Sequence, residues 1–216
     1  MKLLGIFKSE DNIELDRKTL VILRWISIVG QLITINFVYF ILDFNFHFFY
    51  CFLIIFLGTL TNIFLQFKIK KNLLNNFSST LYLIYDLIQL AMLIFFTGGI
   101  TNPFIILLII PAIVSSTLLS LRSTINLSII TVAFLIILTL YHFPLPSSED
   151  LHFHTPEYYL YAVPIAITAV PIAITVGLIF LCYFGLRFGL ETRKRTEALI
   201  KLELVLAKEH ELKTIG

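Results

Sequence analysis

Long apolar runs, separated by short polar connections, dominate the sequence. Six of them approach the ~20 residues that an α-helix needs to cross the hydrocarbon core of a bilayer. Because lipid offers no hydrogen-bond partners, each backbone amide must be paired inside its own segment, so the pattern predicts six transmembrane helices. The runs cover residues 25–42, 48–67, 80–96, 104–121, 124–141 and 161–186.

The positive charges divide the connections into two groups. All sixteen Lys and Arg residues precede the first run, follow the second, fourth or sixth run, and so lie on one side of a six-helix arrangement. The connections 43–47, 97–103 and 142–160 contain none. The positive-inside rule therefore predicts both termini in the cytoplasm, whereas five or seven spans would scatter the charges over both faces.

The composition agrees with a chain that lies mostly in lipid. Hydrophobic residues make up 58 % and charged residues 14 % of the 216 positions, against about a quarter charged in a soluble domain. We predict an all-α integral membrane protein of the bacterial inner membrane, with no nucleic-acid partner. Its parts are a cytoplasmic segment at 1–24, six transmembrane helices at 25–186, and a cytoplasmic linker or coiled-coil helix at 187–216.

Metal and disulfide chemistry are not expected. The longest connection on the cation-free face contains His142, His152 and His154, but their spacing fits no fixed ligand geometry, so a solvated loop is the prediction. Cys51 and Cys182 lie inside apolar runs and are expected to be small buried hydrophobes.

The sixth run contains a tandem repeat. The segment "AVPIAIT" at 162–168 is followed at once by a second copy at 169–175. Seven residues are almost two helical turns, so a duplication of this length keeps the downstream residues on nearly the same face. Pro164 and Pro171 each favour a kink, and a functional hinge is the alternative interpretation.

The segment after the sixth run has the pattern of a signalling helix. It is rich in Glu, Lys, Leu and Ala, and a narrow apolar seam predicts pairing with a second copy of the chain. The seam consists of Ala198, Leu202, Val205 and Leu212.

Two polar residues interrupt the third run. A carboxylate such as Asp86 costs about 2.5 kcal/mol or more inside a membrane, so it should face the bundle or be protonated. Gln89 lies nearly one turn further and could share that face. A functional intramembrane acid and a buried structural hydrogen bond both fit this pattern.

The stretch "FFTGGITNPFII" places several chain-breaking residues between two apolar runs. Gly98 and Gly99 permit tight backbone geometry, and Pro103 can start the fourth helix. A plain turn explains these three residues but hardly needs Asn102 and Phe104. A binding site for a lipid-soluble ligand would use Asn102 on a carbonyl group and Phe104 against the ring.

This region resembles the membrane domain of RegB/PrrB-type redox-responsive sensor histidine kinases. Gly98, Gly99, Asn102, Pro103 and Phe104 match the GGxxNPF loop of that family residue for residue. The resemblance extends to "TLVILRWISIVGQ", "PAIVSSTLLSLRST", "HFPLP" and "LAKEHELKTIG". It implies that the loop senses ubiquinone, that the protein is a homodimer, and that a cognate response regulator receives the signal.

The resemblance stops before the catalytic parts of that family. In "HELKTIG", Ile215 stands where the histidine box has proline, so His210 is not expected to be a phosphoacceptor. No ATP-binding motif is recognisable. We therefore expect no autophosphorylation by this chain alone, and a kinase half that is missing or separately encoded.

Two other functions compete with the sensor interpretation. A small transporter is favoured by Asp86 and the broken turn, and opposed by the lack of a second intramembrane charge. A quinone-binding membrane enzyme unrelated to signalling is opposed by the lack of a histidine pair within the spans.

Overall fold

The chain folds into a bundle of helices in a computed structural model that describes residues 14–69, 72–145, 160 and 163–215. Within these residues, five helices are long and apolar enough to cross a membrane, and another apolar helix is shorter. The predicted all-α membrane fold is confirmed. The helices are α1 (Arg17–Phe40), α2 (Phe48–Phe67), α3 (Asn76–Phe96), α4 (Pro103–Leu118), α5 (Leu121–Leu140) and α6 (Val163–Ile215).

Successive helices run in opposite directions, so their connections meet at two ends of the bundle. At one end, called here the turn end, the amide of Phe143 after α5 donates to the carbonyl of Phe95 in α3 at 3.0 Å. At the other, the lysine end, the first residue of α3, Asn76, donates to Ser120 between α4 and α5 at 2.9 Å. Lys68 lies at the lysine end, after α2.

A two-stranded antiparallel sheet starts two of the helices at the lysine end. Strand β1 (Glu14–Asp16) pairs with β2 (Leu73–Asn75), and each strand leads directly into a helix. The last residue of each strand, Asp16 or Asn75, accepts a backbone amide from the first turn of its helix. These caps explain why α1 begins at Arg17, earlier than its apolar run suggested.

Helix α4 is 3₁₀ over Pro103–Ile109 and α-helical over Ile110–Leu118. Pro111 contributes to this change, because proline has no amide and cannot bond the carbonyl four residues before it. That carbonyl, of Leu107, instead accepts the amide of Ile110, which is a 3₁₀ bond. Because 3₁₀ helix rises about 2.0 Å per residue, α4 reaches about 27 Å, close to the ~30 Å of hydrocarbon.

Helix α6 continues from the bundle into the predicted linker without interruption, for 53 residues in all. Pro164 is its second residue, where a missing amide is not needed for the helix. Pro171 lies inside the helix. The second copy of the repeat is therefore helical throughout, and a hinge at this point remains a prediction.

The apolar seam beyond the bundle is exposed where the structure describes its side chains. Ala198, Leu202 and Val205 are exposed, and the side chain of Leu212 lies outside the described residues. The exposure is compatible with the predicted homodimer, which stays a prediction.

Helix α6 packs closely against α4. A Cβ added at Gly189 would lie 2.7 Å from the carbonyl oxygen of Thr117, and one added at Gly185 would overlap the hydroxyl of Ser116. The two glycines are four residues apart and therefore on one face of α6. Small residues at this spacing allow close helix contact in membranes.

The interior of the bundle is apolar, and many large apolar side chains on the outer faces of the helices are exposed, as lipid contact requires. Cys51 and Cys182 are both buried, as the sequence predicted. The largest fully buried side chains are Leu20, Ile55, Leu65, Leu87, Ile94, Ile100, Leu108, Leu119, Leu127, Leu135, Leu138 and Leu178.

Candidate functional site

The two glycines of the GGxxNPF turn (residues 98–104) have left-handed backbone angles. Gly98 has φ +115° and Gly99 has φ +54°, which side chains rarely tolerate. Each glycine also packs against the segment after α5. A Cβ on Gly98 would lie 2.6 Å from Leu145, and one on Gly99 would overlap the ring of His142. The turn therefore needs both glycines, for conformation and for space.

Asn102 is a structural part of the turn. Its Oδ1 accepts the amide of Phe104 at 2.8 Å, and its Nδ2 donates to the carbonyl and hydroxyl oxygens of Thr97 at 2.8 and 2.7 Å. The side chain is only 7 % exposed. The expectation that the turn hardly needs Asn102 is therefore wrong, because this amide caps α4 and ties it to the end of α3.

Phe104 differs from Asn102 in its environment. Pro103 starts α4, as predicted, and the following Phe104 is 44 % exposed. Its ring makes no aromatic contact within the described part of the chain. This residue is therefore available to an apolar ligand without being required by the turn.

An aromatic cluster lies beside the turn, at the ends of α2, α3 and α5. The ring of Phe96 is stacked between Tyr50, at 5.5 Å, and Phe143, at 5.4 Å, and Phe143 lies 4.5 Å from the ring of His47. Phe95 meets Phe143 edge-on. The other three rings come from segments that are far from the turn in the sequence, so the sequence pattern did not indicate them.

The second group of candidate residues centres on a buried ion pair. The Nε of Arg24 donates to Asp86 Oδ1 at 2.9 Å, and Nη2 donates to Thr61 at 2.8 Å. The guanidinium also lies over the rings of Tyr82 and Tyr85, at 5.2 and 5.6 Å. Asp86 thus faces the bundle, one of the two outcomes expected from its position.

The sequence analysis assigned Arg24 to the segment before the first span and therefore did not identify it as the partner of Asp86. It lies inside α1, is 3 % exposed, and joins α1 to α3 across 62 positions of sequence. The argument against a transporter, that the spans contain no second charge besides Asp86, is therefore wrong. The only sequence signal was the position of Arg24 beside the apolar run.

Gln89 extends the polar contact between α1 and α3. Its Nε2 donates to Oε1 of Gln31 at 2.9 Å, and its side chain lies against Gly58 of α2, where any Cβ would overlap it. The side chain is buried. As predicted, Gln89 and Asp86 face the same neighbouring helix.

The described residues contain no group of three or more His, Cys, Asp or Glu side chains that could hold a metal ion. His152 and His154 lie outside the described residues, as does the side chain of His210. Predictions about these three histidines are therefore untested.

The fold and these contacts define a multi-pass α-helical membrane protein with a structured turn at one end and a buried ion pair towards the other. The chain is similar to the sensor histidine kinase RegB of Cereibacter sphaeroides, at 29 % identity over 200 residues, which confirms the resemblance. These cover 92 % of this chain but only 42 % of RegB, in its N-terminal part, so the chain spans less than half of that relative. No family model and no solved structure matches the chain.

Proposed function

We propose that this chain is the membrane sensor module of a RegB-like two-component system and that it senses the redox state of ubiquinone. The observation that carries the proposal is the similarity to the N-terminal membrane region of a sensor histidine kinase. In this proposal the module lies in the bacterial inner membrane as a homodimer, with both termini in the cytoplasm. It signals through a histidine kinase domain to a response regulator.

The quinone site is proposed at the GGxxNPF turn. The exposed ring of Phe104 would pack against the quinone ring. We give Asn102 a different role from the one expected, because the oxygen and the nitrogen of its side-chain amide already have partners. We assign it the positioning of Phe104, while Gly98 and Gly99 bring the turn close to the segment after α5.

Helix α4 is the proposed route from the turn to α6. It begins at the capped turn and ends where Ser116 and Thr117 contact the glycines of α6. Next to that contact, Arg193 of α6 donates to the carbonyl of Leu119 at 3.3 Å. A displacement of α4 at the turn would therefore change its contact with α6.

Quinone binding to the reconstituted chain tests the proposal. Phe104→Ala should weaken binding of a ubiquinone analogue several-fold in lipid nanodiscs, since an exposed ring contact is lost. Phe49→Ala is the matched control, because Phe49 is an exposed phenylalanine at the same end of the bundle. Equal affinities of the wild type and both variants would contradict quinone sensing at this turn.

A small transporter is the second candidate function, and the buried pair of Arg24 and Asp86 favours it. Intramembrane charges of this kind often mark ion pathways. Proteoliposomes that enclose a pH-sensitive dye would distinguish the two functions. A transporter predicts proton flux that Asp86→Asn abolishes, whereas a sensor predicts no flux above that of empty vesicles.

A further inference from the structure

A cavity of about 470 Å³ lies at the lysine end, away from the proposed quinone site. It is bounded by α2, the connection after α2, strand β2 and α3. Ligand sites typically enclose about 300–1,000 Å³, so this volume suits a small molecule or a headgroup. The apolar part of its lining includes Leu73 and Leu81, which are both half exposed and form an apolar margin.

The polar part of the lining is rich in donors that the fold does not use. The hydroxyl groups of Ser78, Tyr82 and Tyr85 have no hydrogen-bond partner within the described residues. Asn75 uses its side-chain oxygen as a helix cap, which leaves its amide nitrogen available. No carboxylate is among the lining residues that the structure describes. The cavity therefore suits a ligand that offers several acceptor oxygens.

Arg24 lies directly behind this lining. Its guanidinium contacts Thr61, Tyr82 and Tyr85, and all three line the cavity. One guanidinium nitrogen, Nη1, is buried without a hydrogen-bond partner in the described part of the chain. A buried donor of this kind normally has an acceptor, so the guanidinium behind the cavity has one donor group left for a further partner.

The surrounding sequence supplies positive charge. Lys68 directly precedes Ile69, which is one of the residues that line the cavity. Basic pockets between helices on the cytoplasmic side of a membrane bind anionic lipid headgroups. We propose that this cavity binds the phosphate of an anionic phospholipid, with the acyl chains leaving over the apolar margin.

Lipid retention by the full chain tests this site. The protein would be reconstituted in phosphatidylcholine nanodiscs with a small fraction of phosphatidylglycerol, and co-purifying lipid would be counted by native mass spectrometry. We expect preferential retention of phosphatidylglycerol by the wild type. Ser78→Ala combined with Tyr85→Phe should lower it about tenfold, because two donors to a charged phosphate are lost.

Tyr141→Phe is the matched control, since Tyr141 is an exposed tyrosine at the turn end, and it should retain the lipid as the wild type does. Thermal unfolding of each variant in detergent excludes general misfolding. Equal retention of the two lipids by the wild type, or equal retention by the cavity variant and the control, would overturn the proposal. So would binding of water-soluble glycerol phosphate as tightly as the lipid.

Discussion

The turn end and the lysine end of the bundle use their polar groups in opposite ways. At the turn end, Asn102 directs every side-chain hydrogen bond back into the chain. Towards the lysine end, Arg24 and its tyrosine neighbours have donors that find no partner among the described residues. A residue in a recognisable sequence motif therefore need not have polar groups free to bind a ligand. Asn102, in the motif that is easier to recognise, already uses its side-chain amide within the chain.

The two ends also differ in the cost of losing one residue. A buried charge that loses its partner keeps the full cost of its removal from water, whereas a turn that loses a hydrogen bond can relax towards solvent or lipid headgroups. We therefore expect the ion pair to dominate stability and the turn to dominate local conformation. Four predictions separate these roles.

The largest effect should follow removal of Asp86. Asp86→Ala leaves Arg24 buried at 3 % exposure without its counter-ion, and we expect the free energy of unfolding to fall by about 3 kcal/mol. Stepwise addition of a denaturing detergent to mixed micelles, followed by circular dichroism, measures this loss. The double variant Arg24→Met with Asp86→Leu should recover most of it, and equal losses in the single and double variants would rule out an uncompensated charge as the cause.

Gly99→Ala should have the next largest effect. The new methyl group would meet the ring of His142 and would occupy a left-handed backbone position, at a cost of about 2 kcal/mol. Gly30→Ala is the matched control, because a Cβ at Gly30 has open space and alanine favours a helix interior. The same unfolding measurement should separate the two variants, and similar stabilities would mean that the segment after α5 does not hold the turn.

Asn102→Ala should cost about 1–2 kcal/mol, the usual range for a lost helix cap. Asn102→Asp should fall between wild type and alanine, because it keeps the acceptor for the Phe104 amide and loses the donor to Thr97. Phe104→Ala should stay near the wild type in melting temperature, since the residue is 44 % exposed and its side chain makes none of the hydrogen bonds of the turn. Equal melting temperatures for Asn102→Ala and Phe104→Ala would show that the turn does not need the side chain of Asn102.

Much of the architecture was predictable from the sequence because membrane physics acts locally. Apolar length predicted the spans, and the charge-free connections predicted which ends meet. The 3₁₀ start of α4 was harder to predict. Pro111 was the available indication, because a proline at this position blocks the α-type hydrogen bond to the carbonyl of Leu107.

The contacts of the candidate sites were less predictable because their partners are distant in sequence or are backbone groups. Arg24 has the sequence position of a cation at the end of a span, and its partner Asp86 could be found only from the arrangement of α1 and α3 in the bundle. The role of Asn102 was closer to being predictable. An asparagine before Pro-Phe at a helix start has the chemistry of a cap, so turn principles alone could have assigned its role.

The smallest predicted effect concerns the neutral pair that lies on the same two helices as the ion pair. Gln89 donates to Gln31 at 2.9 Å, and hydrogen bonds between membrane helices average about 0.6 kcal/mol. A double-mutant cycle with Gln31→Leu and Gln89→Leu should therefore give a coupling energy of about 0.6 kcal/mol in the detergent-unfolding assay. The corresponding cycle for Arg24 and Asp86 should give several times more, because each single variant leaves a charge unpaired. Equal coupling energies would show that the charges of Arg24 and Asp86 add nothing beyond a neutral hydrogen bond, and that charge gives the lysine end no special place in the stability of the bundle.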